Sequence, residues 1–410
     1  MKAYDAASLD TFVAEVDRLG GVESPLFREA FATFSYRPGI EVDQLIDPLS
    51  EDYVEQQVRL YREISGRDLN QADHELTQFD LEAHVAAANP YASPYPSGLA
   101  LHHLRLATAL HLARLGRSPR LLDMGAGWGL STEFFAGMGC RTTAVDINPS
   151  FVELIRRRQQ RSNLAIEALQ GSFDDFEPSS SFDAVCFYEC LHHAVRPWRL
   201  IERVRSWLRE GGKLLLAGEP FNDLYWKNWG LRLDPLSVYC IRKFGWYESG
   251  WSLPFLTACL NRSGFSVETV DIPIEGAGIA LIATKIAGNA LHPAKACPVD
   301  IAITDSMTSG DFLTLAGSHE IAVENGEAPQ VLSMHVRNHR PKDVVVSISA
   351  TSESRTHTIS PGPYEFRLKL RPGLNAFSYQ AETWVPALEL GNDDRRPQSV
   401  HIAGWELLRA

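Results

Sequence analysis

The sequence predicts an α/β protein: a doubly wound, seven-stranded sheet, with a helical region before it and an all-β region after it. Two observations place the sheet. Between Arg120 and about Lys285 short apolar strands alternate with helical stretches, and glycine-rich turns separate them. A third concerns the flanks: apolar residues recur at helical spacing before this stretch and alternate with a period of two after about residue 298. A chain of 410 residues has room for two or three folded units, and the expected divisions are 1–115, 116–288 and 298–410.

In the first unit, Leu9, Phe12, Val13 and Val16, and later Val54, Val58, Leu60 and Tyr61, mark helices with one apolar face. The run from Asn89 to Gly98 holds three prolines and cannot continue a helix, which resumes from Leu99 to Leu115. In the second unit the expected strands are Leu121–Met124, Thr142–Val145, Ala165–Leu169, Phe182–Tyr188, Lys213–Ala217, Ser266–Ile272 and Ile279–Thr284. Only Pro273 to Ala277 join the last two. That is too short for a parallel crossover, so they should form an antiparallel hairpin. After a Gly, Ala, His and Pro stretch at 288–297, patterns such as Val331 to Val336 and Val344 to Ile348 predict a β-sandwich.

Composition narrows the partners. Hydrophobic residues at 45% and charged residues at 22% suit a globular chain, while a formal net charge of −12 repels phosphate polymers and anionic membranes. Nucleic acid is excluded as a bulk partner. The six cysteines form no C-x-x-C pair and sit in apolar surroundings, which fits reduced thiols and a cytoplasmic setting. No run approaches the roughly 18 apolar residues of a membrane span, and the first residues lack the pattern of a secretory signal.

The first strand of the sheet runs into Asp123-Met124-Gly125-Ala126-Gly127-Trp128-Gly129, and a helix follows. Glycines there permit a tight turn and close approach of a ligand to backbone amides at a helix start. The spacing is G-x-G-x-G with an acid at the strand end, which points to a sulfonium cofactor rather than a dinucleotide. Asp146, ending the second strand, stands where a carboxylate meets a ribose diol.

On these motifs, residues 120 to about 285 resemble class I S-adenosylmethionine-dependent methyltransferases of Rossmann-like fold, particularly the bacterial group of surface-glycan biosynthesis. The resemblance implies S-adenosylmethionine as cofactor. Asp123, Gly125, Gly127 and Gly129 match the motif for its methionine end, and Asp146 matches the ligand of its ribose. Gly171 to Asp175 match the adenine segment, with Phe173 as apolar wall and Ser172 or Asp174 as the polar contact. Ala126, Ile147 and Tyr188 complete the expected cofactor set.

The family also places the end of the fourth strand, Tyr188-Glu189-Cys190-Leu191-His192-His193, beside the transferring methyl group. A hydroxyl acceptor needs a base, and His193 is the first candidate, with His192 as alternate and Glu189 as a third; Glu189 or Glu219 would otherwise orient the imidazole or bind sugar hydroxyls. Cys186, Cys190, His192 and His193 lack the spacing of a zinc hook, so no metal is expected. Tyr91 and Tyr95 would belong to a lid. Trp226 and Trp229, in an aromatic insertion with Glu219 nearby, would form an acceptor pocket, because sugars stack on aromatic rings. Arg232, Arg242 and Lys243 could meet an anionic group of the acceptor.

The segment Pro386 to Ile402 is similar to terminal segments of β-sandwich modules in bacterial polysaccharide pathways. The leading expectation is therefore O-methylation of a sugar hydroxyl on a glycan or its precursor. The competing readings are methylation of a small-molecule hydroxyl or amine, and an inactive protein that only recognises glycan. Assembly as a homo-oligomer is compatible with each.

Overall fold

The computed structural model describes residues 2–22, 31–32, 34–44, 46–221 and 225–286, and further on 301–303, 313–315, 317–325, 330–350, 353–370, 373–390 and 399–409. The stretch 288–297, with Cys297, lies outside the described residues. So does the Asp and Arg run at 392–396.

The N-terminal region is mainly helical but not wholly so. β1 (Lys2–Tyr4) pairs in parallel with β2 (Phe34–Tyr36), and α1 (Leu9–Arg18) lies between them in sequence. Strands this short show no period, yet Tyr4, Phe34 and Tyr36 are buried in one cluster with Phe12 and Val16. Helix α2 (Glu51–Ser65) starts where Ser50 Oγ accepts the Tyr53 N–H and stops at Gly66, with φ 70°. Two short helices follow, α3 (Gln71–His74) and α4 (Leu81–Ala86), capped by Asn70 and Asp80. Helix α5 (Pro96–Ala113) begins three residues earlier than expected, because Pro96 suits the first helical position.

The elements of the sheet region are, in chain order, β3 (Arg120–Met124), α6 (Leu130–Gly137), β4 (Arg141–Asp146), α7 (Pro149–Ser162), β5 (Ile166–Gln170), β6 (Phe182–Tyr188), α8 (Pro197–Trp207) and β7 (Leu208–Ala217). Then come β8 (Trp229–Leu231), α9 (Pro235–Phe244), β9 (Ser249–Trp251), α10 (Leu253–Arg262), β10 (Phe265–Asp271) and β11 (Ile279–Lys285). The seven-stranded sheet has the order β10-β11-β7-β6-β3-β4-β5. β11 runs antiparallel to both neighbours, to β10 as their short connection requires, and the remaining pairs are parallel. The strand order reverses between β3 and β6, so the ligand crevice of such a sheet opens at their carboxyl ends.

Alternating side chains of these strands enter two cores. Leu122, Val185, Leu214 and Leu216 pack with Trp198, Ile201 and Val204 of α8. Leu121, Ala184, Cys186 and Leu215 pack with Leu106, Ala109 and Ala113 of α5. Coverage on both faces is why the strands read as nearly continuous apolar runs. β7 starts five residues before the expected Lys213 and includes Gly211-Gly212. A register shift against β6 between Phe182 and Ala184 absorbs the irregularity.

The insertion between β7 and β10 belongs with the N-terminal helices. Trp226, Leu231, Tyr239 and Tyr247 share one cluster with Leu9, Phe12, Leu60 and Tyr61. Tyr61 Oη donates to the Gly245 carbonyl at 2.6 Å, and Tyr53 Oη donates to the Trp229 carbonyl at 2.8 Å.

The C-terminal region holds a five-stranded sheet, β12 (Ile301–Ile303), β14 (Gly317–Asn325), β19 (Gly373–Ala381), β16 (Val344–Ala350) and β17 (Glu353–Ile359) in spatial order. A four-stranded sheet is formed by β13 (Leu313–Leu315), β20 (Val400–Arg409), β15 (Gln330–Asn338) and β18 (Gly362–Leu370). All pairs are antiparallel except β12 with β14. Leu332, Met334 and Phe366 from one sheet and Val344, Val346 and Phe377 from the other join in one apolar cluster.

Candidate active site

The glycine loop is built by backbone conformations that side chains disfavour. Gly125, Gly127 and Gly129 have φ of 65°, 50° and 85°. A Cβ on Gly125 would lie 2.8 Å from Cys190 Sγ, and one on Gly129 would lie 2.7 Å from Ile155. On Gly127 it would meet nothing within 4 Å, so space remains above the middle of the loop. Buried Ala126 pins the turn by donating its N–H to the Val145 carbonyl at 3.0 Å.

Two carboxylates flank this loop. Asp123 Oδ2 accepts from Ser131 Oγ at 2.8 Å and Thr132 Oγ1 at 2.6 Å, while its buried Oδ1 has no partner in the chain. An orphaned buried acceptor is costly unless a ligand supplies the donor. Asp146 accepts the N–H groups of Gly127 at 2.7 Å and Asn148 at 2.8 Å, which fixes it at the edge of the same space. Burial raises both carboxyls to about 6, against the pull of those hydrogen bonds. A ribose diol and an ammonium group are the donors that this arrangement lacks, so the residues fit S-adenosylmethionine.

Other expected cofactor residues gather here as well. Phe173 packs on Phe187 with centroids 5.5 Å apart, and its ring edge lies beside Gly125. Ile147 is half-buried at the end of β4. Ser172 is otherwise engaged: its hydroxyl donates to Asp175 Oδ1 at 2.7 Å and accepts from the amides of Asp174 and Asp175. Asp174 is exposed.

The segment covering the loop is 71–84, upstream of the predicted lid. Phe79 lies 4.6 Å from Trp128 and 5.2 Å from Phe151, and His84 stacks on Trp128 at 4.2 Å. Asn148 Nδ2 donates to the Thr77 carbonyl at 3.0 Å. Of the two lid tyrosines, Tyr91 packs edge-on against His102 at 5.1 Å, whereas Tyr95 is 58% exposed.

After β6 the chain makes two polar groupings. In the first, Glu189 adopts φ 52° and lies over Gly218, where any side chain would collide with it. Arg105 Nη1 donates to Glu189 Oε1, and His102 Nδ1 stands 3.7 Å from Oε2 and 2.5 Å from Tyr188 Oη. Burial raises the Glu189 carboxyl to about 7, although the Arg105 charge opposes it, and 31% of the side chain stays exposed. Burial, helped by Arg105, lowers His102 to about 4 and keeps it neutral.

In the second, Glu219 accepts the N–H groups of Cys190, Leu191 and His192 and faces His192 Nδ1 at 3.0 Å. Burial pushes this carboxyl up, but its imidazole and amide partners outweigh that and hold it below the ordinary range. These bonds occupy Glu219 inside the chain, where it orients the turn. His193 Nδ1 lies 3.4 Å from Glu75 Oε1. Burial would lower His193, yet the charges of Glu75, Glu248 and Glu219 prevail and raise it to about 9. An imidazole held protonated at neutral pH is poorly prepared to act as the free base that the sequence suggested.

The acceptor pocket expected at Trp226 and Trp229 is also corrected. Both are buried; Trp226 Nε1 donates to the Leu231 carbonyl at 2.7 Å and Trp229 Nε1 to the Pro48 carbonyl at 2.6 Å. Their faces serve the core shared with the N-terminal helices. Arg242 and Lys243 pair with Asp10 and Asp17, and Arg232 pairs with Asp234.

Sequence reasoning missed His102, Arg105, Glu75 and Glu248. His102 and Arg105 are three apart on one face of α5, a signal that the apolar pattern of that helix masked. Glu75 has no comparable local signal.

Residues 122–216 match the model of a family described as a methyltransferase domain. A ubiquinone biosynthesis O-methyltransferase of Xanthomonas euvesicatoria pv. vesicatoria is 34% identical over 148 residues, 34% of this chain and 60% of that protein. One of Xanthomonas axonopodis pv. citri is 37% identical over 100 residues, 24% and 42% of the respective chains. The chain thus spans about half the length of the curated relatives it matches. Among solved structures, the 1,6-didemethyltoxoflavin-N1-methyltransferase of Burkholderia thailandensis aligns at 22% identity with TM-score 0.37, covering 46% of this chain and 80% of that one. The magnesium protoporphyrin IX methyltransferase of Synechocystis aligns at 16% identity with TM-score 0.35, covering 46% and 83%.

Proposed function

We propose that the chain is an S-adenosylmethionine-dependent methyltransferase that methylates a hydroxyl group. The observation that carries this is the pair of carboxylates around the glycine loop, with Asp123 Oδ1 lacking a donor and open space over Gly127. The matched methyltransferase domain supports the reaction class, and the names of the Xanthomonas relatives support oxygen as the acceptor atom.

When bound, S-adenosylmethionine supplies an electrophilic methyl carbon on a sulfonium. The protein's part is to align an acceptor oxygen with that carbon and to exclude water. Asp146 would hold the ribose hydroxyls, Asp123 the methionine end, and Phe173 the apolar face of the base. Glu189 would accept the proton of the acceptor hydroxyl, and the bound cofactor would supply the methyl group with its sulfur as leaving group. Arg105 and the left-handed turn hold Glu189 for this task, and its pKa near 7 matches proton acceptance at neutral pH.

A small-molecule hydroxyl is favoured over a sugar as acceptor, because the aromatic faces proposed for sugar stacking are buried. The C-terminal sheets then form a β-sandwich with a role outside the methyl-transfer step. Calorimetric titration with S-adenosylmethionine, followed by transfer of labelled methyl to a panel of phenolic and sugar hydroxyls, tests the reading. One cofactor per chain and labelling of phenols are expected. Absence of cofactor binding by folded protein would overturn it.

A further inference from the structure

We propose that His192, His193 and Glu248 form a binding site for a divalent transition-metal ion of the zinc class, with Glu219 and Glu75 orienting the two imidazoles. One nitrogen of each imidazole and one carboxylate oxygen of Glu248 lie within 4.8 Å of one another. This departs from the expectation that the chain holds no metal. The ligand set contains neither cysteine considered for zinc: Cys190 Sγ donates to the Met124 carbonyl, and Cys186 is buried in β6.

The local chain builds the site. The turn Leu191–His193 after β6 places the two rings side by side, with centroids 4.4 Å apart. Ser249 Oγ donates to the His192 carbonyl at 2.5 Å and fastens β9, and with it Glu248, against that turn. Nδ1 of His192 is hydrogen-bonded to Glu219 at 3.0 Å, while the buried Nδ1 of His193 lies 3.4 Å from Glu75 without a hydrogen bond. A carboxylate behind each imidazole is the arrangement that fixes the ring of a metal-ligating histidine.

A distance and a charge count favour an ion over a plain hydrogen bond. His192 Nε2 and Glu248 Oε2 are 3.6 Å apart, beyond N–H···O length. Two ligands on a tetrahedral ion with bonds of 2.0–2.2 Å stand about 3.4 Å apart. Three carboxylates with side-chain exposures of 13%, 1% and 9% surround two imidazoles. Arg232, at 4.0 Å from Glu248, is shared with Asp234 at 2.9 Å. A dication would replace the proton that His193 otherwise carries and add positive charge among the three carboxylates, and three protein ligands leave a fourth position on a tetrahedral ion.

Binding of the ion stands apart from methyl transfer; its use in activating the acceptor hydroxyl rests on the proposed function. The test uses full-length, tag-free protein stripped with a chelator, with neither cofactor nor acceptor present. Zinc chloride is titrated by calorimetry, and bound metal is counted after dialysis by elemental analysis. Cobalt(II) is added in parallel and its visible absorption read for tetrahedral coordination. One ion per chain is expected, with binding weakened at least tenfold by His192→Ala and Glu248→Gln. Glu75→Gln, which removes only an orienting group, should weaken it about 10–100-fold. Circular dichroism and S-adenosylmethionine titration of each variant verify the fold. Wild-type protein that takes up no zinc while binding S-adenosylmethionine would overturn the metal site alone. Variants that are folded and bind zinc as tightly as the wild type would overturn it too.

Discussion

Glu219 and His192 are joined twice: the carboxylate accepts the His192 backbone N–H at 3.2 Å and faces its Nδ1 at 3.0 Å. The amides of Cys190 and Leu191 donate to the same side chain, so one residue after β7 closes the turn after β6. Glu219→Ala strands three amides and an imidazole away from water, and a loss of about 3–5 kcal/mol is expected. Urea unfolding followed by tryptophan fluorescence measures it. A loss within about 0.5 kcal/mol, as for an ordinary surface substitution, would show that the turn does not depend on Glu219.

Glu189 predicts a limb in the pH–rate profile. Burial keeps its proton on up to about pH 7 in the ligand-free protein, and proton acceptance needs the ionised form, so kcat/KM should rise with pH through that value. Glu189→Gln keeps the shape, should lower kcat by about 10²–10⁴-fold and should abolish the limb, with cofactor affinity unchanged. If the variant retains the limb, the proton goes elsewhere.

Asp123 and Asp146 set opposite pH trends for stability and for binding. Their folded pKa values, about 6, lie above the ordinary carboxylate value. Their contribution to the stability of the cofactor-free protein is therefore full below the ordinary value and is lost as pH rises through about 6. Cofactor affinity should do the reverse, since hydroxyl and ammonium donors need ionised acceptors; it falls as pH drops through the same value. Asp146→Asn should cost about 1.5–3 kcal/mol of binding, roughly 10–150-fold in Kd. Calorimetry on both proteins across this window decides, and an unchanged Kd in the variant would remove Asp146 from the ribose.

The glycines of one loop should fail in different ways. Gly125→Ala adds left-handed strain and a contact at 2.8 Å to Cys190 Sγ, for about 2–4 kcal/mol in all. Gly127→Ala carries only the strain, about 1–2 kcal/mol, but its methyl group enters the space above the loop. The first variant should lose more Tm, and the second should keep its fold while losing cofactor affinity. Equal losses of Tm with intact binding in both would put the cofactor elsewhere.

The sheet was legible in the sequence because strands covered on both faces leave runs such as Phe182 to Tyr188, and the short link before Ile279 determines one antiparallel pair. The cofactor loop was legible because its glycines answer to local backbone geometry. The acceptor side was not. Trp229 carries the same signal whether it stacks on a sugar or fills a core, and only the packing of α2 against β8 decides for the core. Glu75 and Glu248 meet His193 and His192 through tertiary folding, which no local spacing encodes. Nor does composition reveal that Glu189 meets Arg105, because the two lie on separate elements that only the docking of α5 brings together.

Arg158 fastens the covering segment to the sheet region. From α7 its Nε and Nη2 pair with Glu133 of α6, and Nη1 donates to the carbonyls of His84 and Ala87, each at 2.9 Å. Helix α4 depends on this anchor because it buries only Val85 itself, while its neighbouring links, Arg157 to Glu82 and Arg161 to the Val85 carbonyl, are more exposed. Arg158→Ala leaves two carbonyls and one carboxylate unpaired near the protein interior, for about 1–3 kcal/mol. The loss should appear locally, since α4 touches the loop through His84 and Trp128 but contributes nothing to either sheet core. Amide exchange should quicken across residues 79–92 and stay unchanged in β3 and β4, and cofactor should dissociate faster. Arg158→Lys should rescue the pairing with Glu133 but not both carbonyls, because an ammonium lacks the planar fork that reaches them together. Exchange that quickens equally in β3 and β4 would mean that Arg158 supports the core and that the cover is held by other contacts.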